Sequence, residues 1–215
     1  MNAWATLQAD WPLIVQKTGE HIYLSLVSVL IAILIAVPLG ILLSGHKRSA
    51  NSVITIASII QTIPSLALFG FLIPLLGIGT TPAIIALTLY AVFPILQNTV
   101  VGISEVSDFL IEAGIGMGMT KWQVLRLVQL PIARGVIMAG VRLVVVHTIS
   151  LAAIAAYIAA GGLGDIIFRG ISMNNTITIL EGAIPVSLLV IIMNILLLGI
   201  NNLLTPKGLR GLIKK

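Results

Sequence analysis

The 215-residue chain contains no cysteine. That excludes disulfides, thiolate-bound zinc and thiol chemistry. Charge is nearly as scarce, at 9% of residues; a soluble domain carries roughly a quarter. Aromatic residues make up only 5%, which leaves little material for a cage around a cationic ligand. No His-Glu-x-x-His metal pattern occurs, and no Gly-x-x-x-x-Gly-Lys-Ser/Thr phosphate loop. Gly114-x-Gly116-x-Gly118 lacks the spacing of a dinucleotide fingerprint. Of the three histidines, His21 and His46 lie at the ends of the first span, and His147 lies within the fourth with Ser150 one turn on and no carboxylate near it in sequence. Core hydrogen bonding is its expected role. The chain is therefore expected to have no catalytic residues and no metal site. A net charge of +5 with no basic face argues against nucleic acid.

What the chain does have is apolar residues, 58% of the total, in long runs. About 20 apolar residues cross the roughly 30 Å of bilayer hydrocarbon. The runs predict one all-α membrane domain over 1–215 with five spans: 22–44, 53–76, 83–103, 131–160 and 177–204. The first run is too long for the core of a cleavable signal, and Asp10 and Glu20 precede it without a basic cluster. Ala32, Ala36 and Gly40 recur every fourth residue, a stripe that lets a neighbouring helix come close.

Prolines punctuate the second and third spans. Pro64 removes a backbone donor, so a kink or break is expected there. Carbonyls freed in lipid need partners, which Gln61, Thr62 and Ser65 can supply. Pro94 repeats the arrangement, with Tyr90 before it and Gln97, Asn98 and Thr99 after it. Paired mid-span prolines beside amides and hydroxyls fit a lined pathway or a hinge. Ordinary helix–helix hydrogen bonding is the other reading. Arg142 lies about 16 Å of helix past Pro131. A charge at that depth is either functional or snorkels to the headgroups. Glu181 is expected to reach water near the outer end of the last span.

Basic residues orient the chain. With the N-terminus outside, Lys47, Arg48, Lys121, Arg126, Arg134, Lys207, Arg210, Lys214 and Lys215 face the cytoplasm. Only Lys17 and Arg169 face outward, so nine stand against two. This bias selects N-out and C-in. It also places the one long polar insertion, residues 105–134, in the cytoplasm, with its most polar, glycine-marked segment at 105–122. Within it, Ser107–Met117 can form a short helix, capped by Ser107 with Asp108 in its first turn. Phe109, Leu110, Ala113 and Met117 would share an apolar face, and Gly118 suits a sharp ending turn. Such a segment either touches a partner or lies on the lipid surface as an amphipathic helix.

Glu112-Ala113-Gly114, then Gly118, then Val128-Gln129-Leu130-Pro131 resembles the cytoplasmic motif of permeases in binding-protein-dependent type I ABC importers. The family pattern is Glu-Ala-Ala, three residues, Gly, nine residues, Ile-x-Leu-Pro. The spacing agrees throughout; Gly114 replaces the second Ala and Val128 the Ile. Gln61-Thr62-Ile63-Pro64-Ser65, the run from Leu89-Tyr90 through Pro94 to Asn98-Thr99, and Gly161-Gly162-Leu163-Gly164-Asp165 are similar to osmoprotectant permeases for glycine betaine, carnitine and choline. The last run is also similar in methionine importer permeases.

The resemblance implies a multi-pass subunit of the bacterial cytoplasmic membrane. It implies a type I permease fold whose coupling helix, around Glu112, Ala113, Gly114 and Gly118 and leading to Leu130 and Pro131, docks on a separate pair of ATP-binding subunits. ATP and magnesium would sit on those partners, with no cofactor in this chain. A second permease, identical or paralogous, would complete the pathway, and an extracytoplasmic binding protein would deliver cargo. Gln61, Pro64, Ser65, Tyr90, Pro94 and Asn98 would line or hinge the passage. Gly161, Gly162, Gly164 and Asp165 would lie near the outer gate. An importer for another cargo, such as methionine, and a stand-alone channel or secondary carrier are the competing readings.

Overall fold

The computed structural model describes residues 3–204, all of whose regular structure is helical. Lys207, Arg210, Lys214 and Lys215 of the basic tail lie outside the described residues, as does the side chain of Lys47.

Helix α1 (Ala3–Ser44) has 42 residues, about 63 Å at 1.5 Å per residue and twice the hydrocarbon thickness. The span expected over 22–44 is its second half. The earlier part stays helical because its polar residues pair along one face. Gln16 Nε2 donates to Glu20 Oε1 at 3.1 Å, and Lys17 Nζ meets Glu20 Oε2 at 2.9 Å. The small-residue stripe lies against α4 (Thr80–Ser104). Ala32 and Ala36 are fully buried, and a Cβ on Gly40 would stand 2.7 Å from Thr99 Cβ.

The stretch expected as one kinked span, 53–76, is instead two helices meeting at a corner. α2 (Lys47–Thr62) and α3 (Ser65–Leu76) are bent by 95°. Ile63 and Pro64 are both extended, with ψ of 126° and 137°. A residue before proline is driven out of the helical region, so the chain takes two extended steps rather than one kink. Four described helices are long and apolar enough to cross a bilayer: Gln8–Ser44, Thr80–Ser104, Lys121–Ile158 and Thr176–Leu203. The α2–α3 pair supplies a fifth crossing when counted as one broken span.

The polar insertion forms α5 (Asp108–Gly116) and the single turn α6 (Lys121–Val124). A π-helical segment, Leu125–Gln129, then joins α6 to α7 (Leu130–Ile154) without a break. The fourth span thus starts earlier than Pro131. Pro131 sits inside this continuous rod, at the point where the π-helical segment gives way to α7. A 3₁₀ turn, Ala155–Ile158, ends the rod; α8 (Leu163–Ser172) and α9 (Thr176–Leu204) follow.

α4 is the hub, packed by α1 and α7 and flanked by α2 and α3. Its Ile95 and Leu96 join Val29, Ala36, Val144 and Ile149 in one core, and its Leu87 and Tyr90 join Phe69 and Ala152 in another. The N-terminal side is closed by ion pairs between α1 and α8. Lys17 meets Asp165 at 2.6 Å, and Arg169 meets Asp10 at 3.2 Å. Glu181, expected in water, is only 5% exposed, packed beside the Asp10–Arg169 pair. Side chains on α1 and α8 cover the face that its position near a helix end suggested was open.

Candidate functional site

Two constellations stand out against this core, one at the helix break and one at the α5 turn. At the break, the prolines of two helices answer one another. Pro94 has no N–H, so the Tyr90 carbonyl one turn earlier loses its helical partner. Gln61 Nε2, in the last turn of α2, donates to it at 3.0 Å. The Tyr90 hydroxyl in turn donates to the Ile63 carbonyl beside Pro64. Gln61 was read as serving its own proline; instead it serves Pro94, while the Ile63 N–H reaches the Ile60 carbonyl at 3.2 Å. Asn98 Nδ2 donates to the Pro94 carbonyl at 2.8 Å. α4 therefore stays helical through Pro94, and the corner is latched to it by two crossed bonds.

These bonds give a stability prediction. Gln61→Leu leaves the Tyr90 carbonyl without its donor and lowers unfolding free energy by about 1–3 kcal/mol. Tyr90→Phe costs about 0.5–1.5 kcal/mol. Thermal unfolding in mild detergent measures both, and Gln61→Leu should be the larger loss. Equal stability in both variants would mean the latch is not formed.

A cleft of about 360 Å³ opens at this corner, lined by Gln61, Thr62, Ile63, Pro64, Ser65, Tyr90, His147 and Leu151. His147 was expected in the core. It is exposed, with no hydrogen bond among the described residues, and the buried histidine is His21, whose Nε2 lies 2.9 Å from the Ile149 carbonyl. Aromatic residues within the apolar runs divide in the same way. Phe69 and Tyr90 are core, whereas Tyr157 is 64% exposed and packs on Phe168 with ring centroids 4.1 Å apart.

The second constellation is the α5 turn. Ser107 occupies the N-cap position, but its side chain makes no cap bond; only its carbonyl accepts, from Leu110 and Ile111. Gly118 has φ +86°, a left-handed position that glycine adopts freely. The turn closes with Met119 N–H on the Gly114 carbonyl at 3.1 Å and Gly118 N–H on the Ile115 carbonyl at 2.9 Å. Gly114 is the buried residue of α5. A Cβ there would lie 3.3 Å from Val124 Cγ2 and 3.9 Å from Val128 Cγ2. Both departures from the motif, Gly114 and Val128, thus fall at one contact, where α5 presses on the start of the α7 rod. Leu130 and Pro131 are half-buried where that rod becomes α7.

Glu112 and Ala113 are exposed, and Glu112 has no ion pair or hydrogen bond among the described residues. Standing mid-helix, it does not cap α5. The expected apolar face does not pack on this chain: Phe109 is 75% and Met117 73% exposed, with Leu110, Ile115 and Trp122 also exposed. One stabilising device was missed. Thr120 and Gln123 form a reciprocal capping box, with Thr120 N–H on Gln123 Oε1 at 2.8 Å and Gln123 N–H on Thr120 Oγ1 at 3.3 Å. The Thr-x-x-Gln pattern was the signal for it.

At the opposite end, Gly161 and Gly162 have φ of +85° and +83°, and Gly162 N–H donates to Glu20 Oε2 at 2.9 Å. Gly164 and Asp165 belong to the first turn of α8, where Asp165 takes the Lys17 ammonium.

A bundle of apolar spans with one latched corner and a rigid apolar turn projecting from one end has the build of a multi-span transport permease. The family model described as "Binding-protein-dependent transport system inner membrane component" matches residues 21–209, and the chain belongs to that family. It is 46% identical over 213 residues to the glycine betaine/carnitine/choline transport system permease protein OpuCB of Bacillus subtilis, covering 99% of this chain and 98% of that protein. It is 50% identical over 194 residues to the carnitine transport permease protein OpuCB of Listeria monocytogenes, covering 90% and 89%. Among solved structures, a chain of the MetNI methionine ABC transporter in an inward-facing conformation matches with a TM-score of 0.83 at 24% identity, covering 92% of this chain and 99% of that one. The architecture is the type I ABC importer permease fold.

Proposed function

We propose that this chain is the permease subunit of an ATP-driven importer for osmoprotectants of the glycine betaine, carnitine and choline class. The observation that carries the reading is the α5 turn, with Phe109 and Met117 bare on a glycine-locked helix between two spans. The carnitine, choline and glycine betaine transport for which the Bacillus and Listeria relatives are named, with alignment over nearly the whole chain, supports the cargo class. On this reading α5 docks on a pair of ATP-binding partners, which hold the ATP and magnesium. Glu112, Ala113, Gly114 and Gly118 shape the coupling helix, and Leu130 and Pro131 join it to α7. A second permease, identical or paralogous, completes the passage, and an extracytoplasmic binding protein loads it. Gln61, Pro64, Ser65, Tyr90, Pro94 and Asn98 form the corner that lines or hinges the passage.

The N-out, C-in orientation fits the charge pattern. The outward cations Lys17 and Arg169 are neutralised by Asp165, Glu20 and Asp10, whereas Arg48, Lys121 and Arg126 are exposed and make no ion pair among the described residues. Reconstitution of this chain with its ATPase, companion permease and binding protein in liposomes tests the whole reading. Uptake of glycine betaine, carnitine or choline should require ATP, ATPase and binding protein together. Uptake that persists without the ATPase would overturn it.

A further inference from the structure

Helix α7 carries polar residues where lipid would not accept them. Arg142, Leu143, His147 and Ser150 are exposed, as is Tyr157 on the 3₁₀ turn that ends the rod. Val141, Val144, Val145, Thr148, Ile149 and Ala152 are buried in the bundle. At about 100° per residue, the exposed set spans roughly 140° of the helix surface, one continuous face. His147 brings that face to the cleft at the α2–α3 corner. Arg142 makes no hydrogen bond or ion pair among the described residues. No acid stands at its depth. Asp10, Glu20, Asp165 and Glu181 cluster at the outer end, and Glu105, Asp108 and Glu112 lie at or beyond the inner end of α4. A bare guanidinium about 16 Å of helix past Pro131, inside the span and sharing its face with a histidine and a serine, belongs against water.

We propose that this face of α7 lines the passage, and that Arg142 selects cargo by charge, favouring quaternary ammonium compounds that also carry a carboxylate. The inference rests on the osmoprotectant reading above. Glycine betaine and carnitine are net neutral and present a carboxylate that a guanidinium attracts. Choline has no carboxylate and a net positive charge, which a fixed cation in a narrow, poorly screened passage repels. The chain offers no acid there to cancel that repulsion.

The test uses the complete reconstituted transporter with binding protein saturated by each cargo in turn, so that the maximal rate reports the membrane step. The ratio of glycine betaine to choline rates should fall on the order of tenfold in Arg142→Gln, the size expected for charges roughly 10 Å apart at an effective dielectric near 20. Arg142→Lys should restore it. In this chain without cysteines, Ser150→Cys should react with a water-soluble thiol reagent and be slowed by cargo. A ratio changed by less than about twofold in an Arg142→Gln complex that still hydrolyses ATP overturns the proposal. So does an inert Ser150→Cys, the outcome expected if Arg142 merely snorkels from lipid. If Arg142→Gln does not insert, Arg142→Lys and the cysteine decide. A wild-type complex that moves no quaternary ammonium compound refutes the osmoprotectant reading instead, while the cysteine still reports whether the face is wet.

Discussion

Gly164→Ala will leave the chain poorly folded, and Gly164→Val will leave almost none of it monodisperse in detergent. Gly164 stands in the first turn of α8, where a Cβ would fall 2.0 Å from the Ala153 carbonyl oxygen and 2.8 Å from Ala156 Cβ. Both obstacles belong to the end of the α7 rod, and the nearer one is backbone. No rotamer change relieves that overlap, so α8 must move. Overpacking of this kind costs about 3 kcal/mol even for a methyl group, against a total stability of about 5–15 kcal/mol. Displacing α8 also separates Asp165 from Lys17 and Arg169 from Asp10, the pairs that tie α8 to α1. Gly161→Ala is the contrasting case. Its Cβ would meet Glu20 Oε2 at 2.5 Å, the far end of a side chain that can swing away. Its cost is the left-handed strain of about 1–2 kcal/mol, together with the Lys17 and Gly162 N–H contacts that Glu20 gives up when it moves. Thermal unfolding of the purified chain should therefore rank wild type above Gly161→Ala, and Gly161→Ala above Gly164→Ala. A Gly164→Ala melting temperature within about 2 °C of wild type would show that the α7–α8 contact is looser than described.

The contrast marks what sequence could supply. Apolar runs gave the spans because their length against bilayer thickness is a local property. The motif from Glu112 to Pro131 was legible because its spacing is fixed by one short turn and the rod that follows it. Gly118 needed only its position at the end of a short helix. The corner at Pro64 was foreseen, but not its right angle, which depends on both Ile63 and Pro64 being extended. Gln61 could not be matched to Tyr90 from sequence, since its acceptor is freed by a proline on another helix. His147 and Glu181 were misjudged in opposite directions for one reason. A helix apolar all round has no amphipathic pattern to say which face its neighbours cover. The rotation of α7 and α9 is set by packing against α4 and α8, and only the fold reveals it.

Replacing Phe109 and Met117 together with aspartate will leave an inserted, folded permease whose import falls by at least about a hundredfold. Both side chains are largely bare and contribute little to this chain's own core, so their loss costs little stability. The backbone presenting them is held at several points. Gly118 locks the end of α5, Gly114 seats it on Val124, and the Thr120–Gln123 box fixes the next turn. An apolar pair held in this way is what an anchoring site requires, and losing each such anchor costs about 2 kcal/mol of docking. Two anchors make about 4 kcal/mol, nearly a thousandfold at 1.4 kcal/mol per decade. New carboxylates in an apolar groove add desolvation to that loss. The partner ATPase should keep its basal hydrolysis, while stimulation by loaded binding protein disappears, because the defect lies in transmission. Normal uptake by the double variant would mean that α5 touches no ATPase. Loss of insertion would instead make Phe109 and Met117 part of this chain's own fold. Gly118→Val separates these cases further: it strains the turn by about 1–2 kcal/mol while leaving both anchors in place. Its transport should fall less than that of the double aspartate variant if the anchors, rather than the turn alone, carry the coupling.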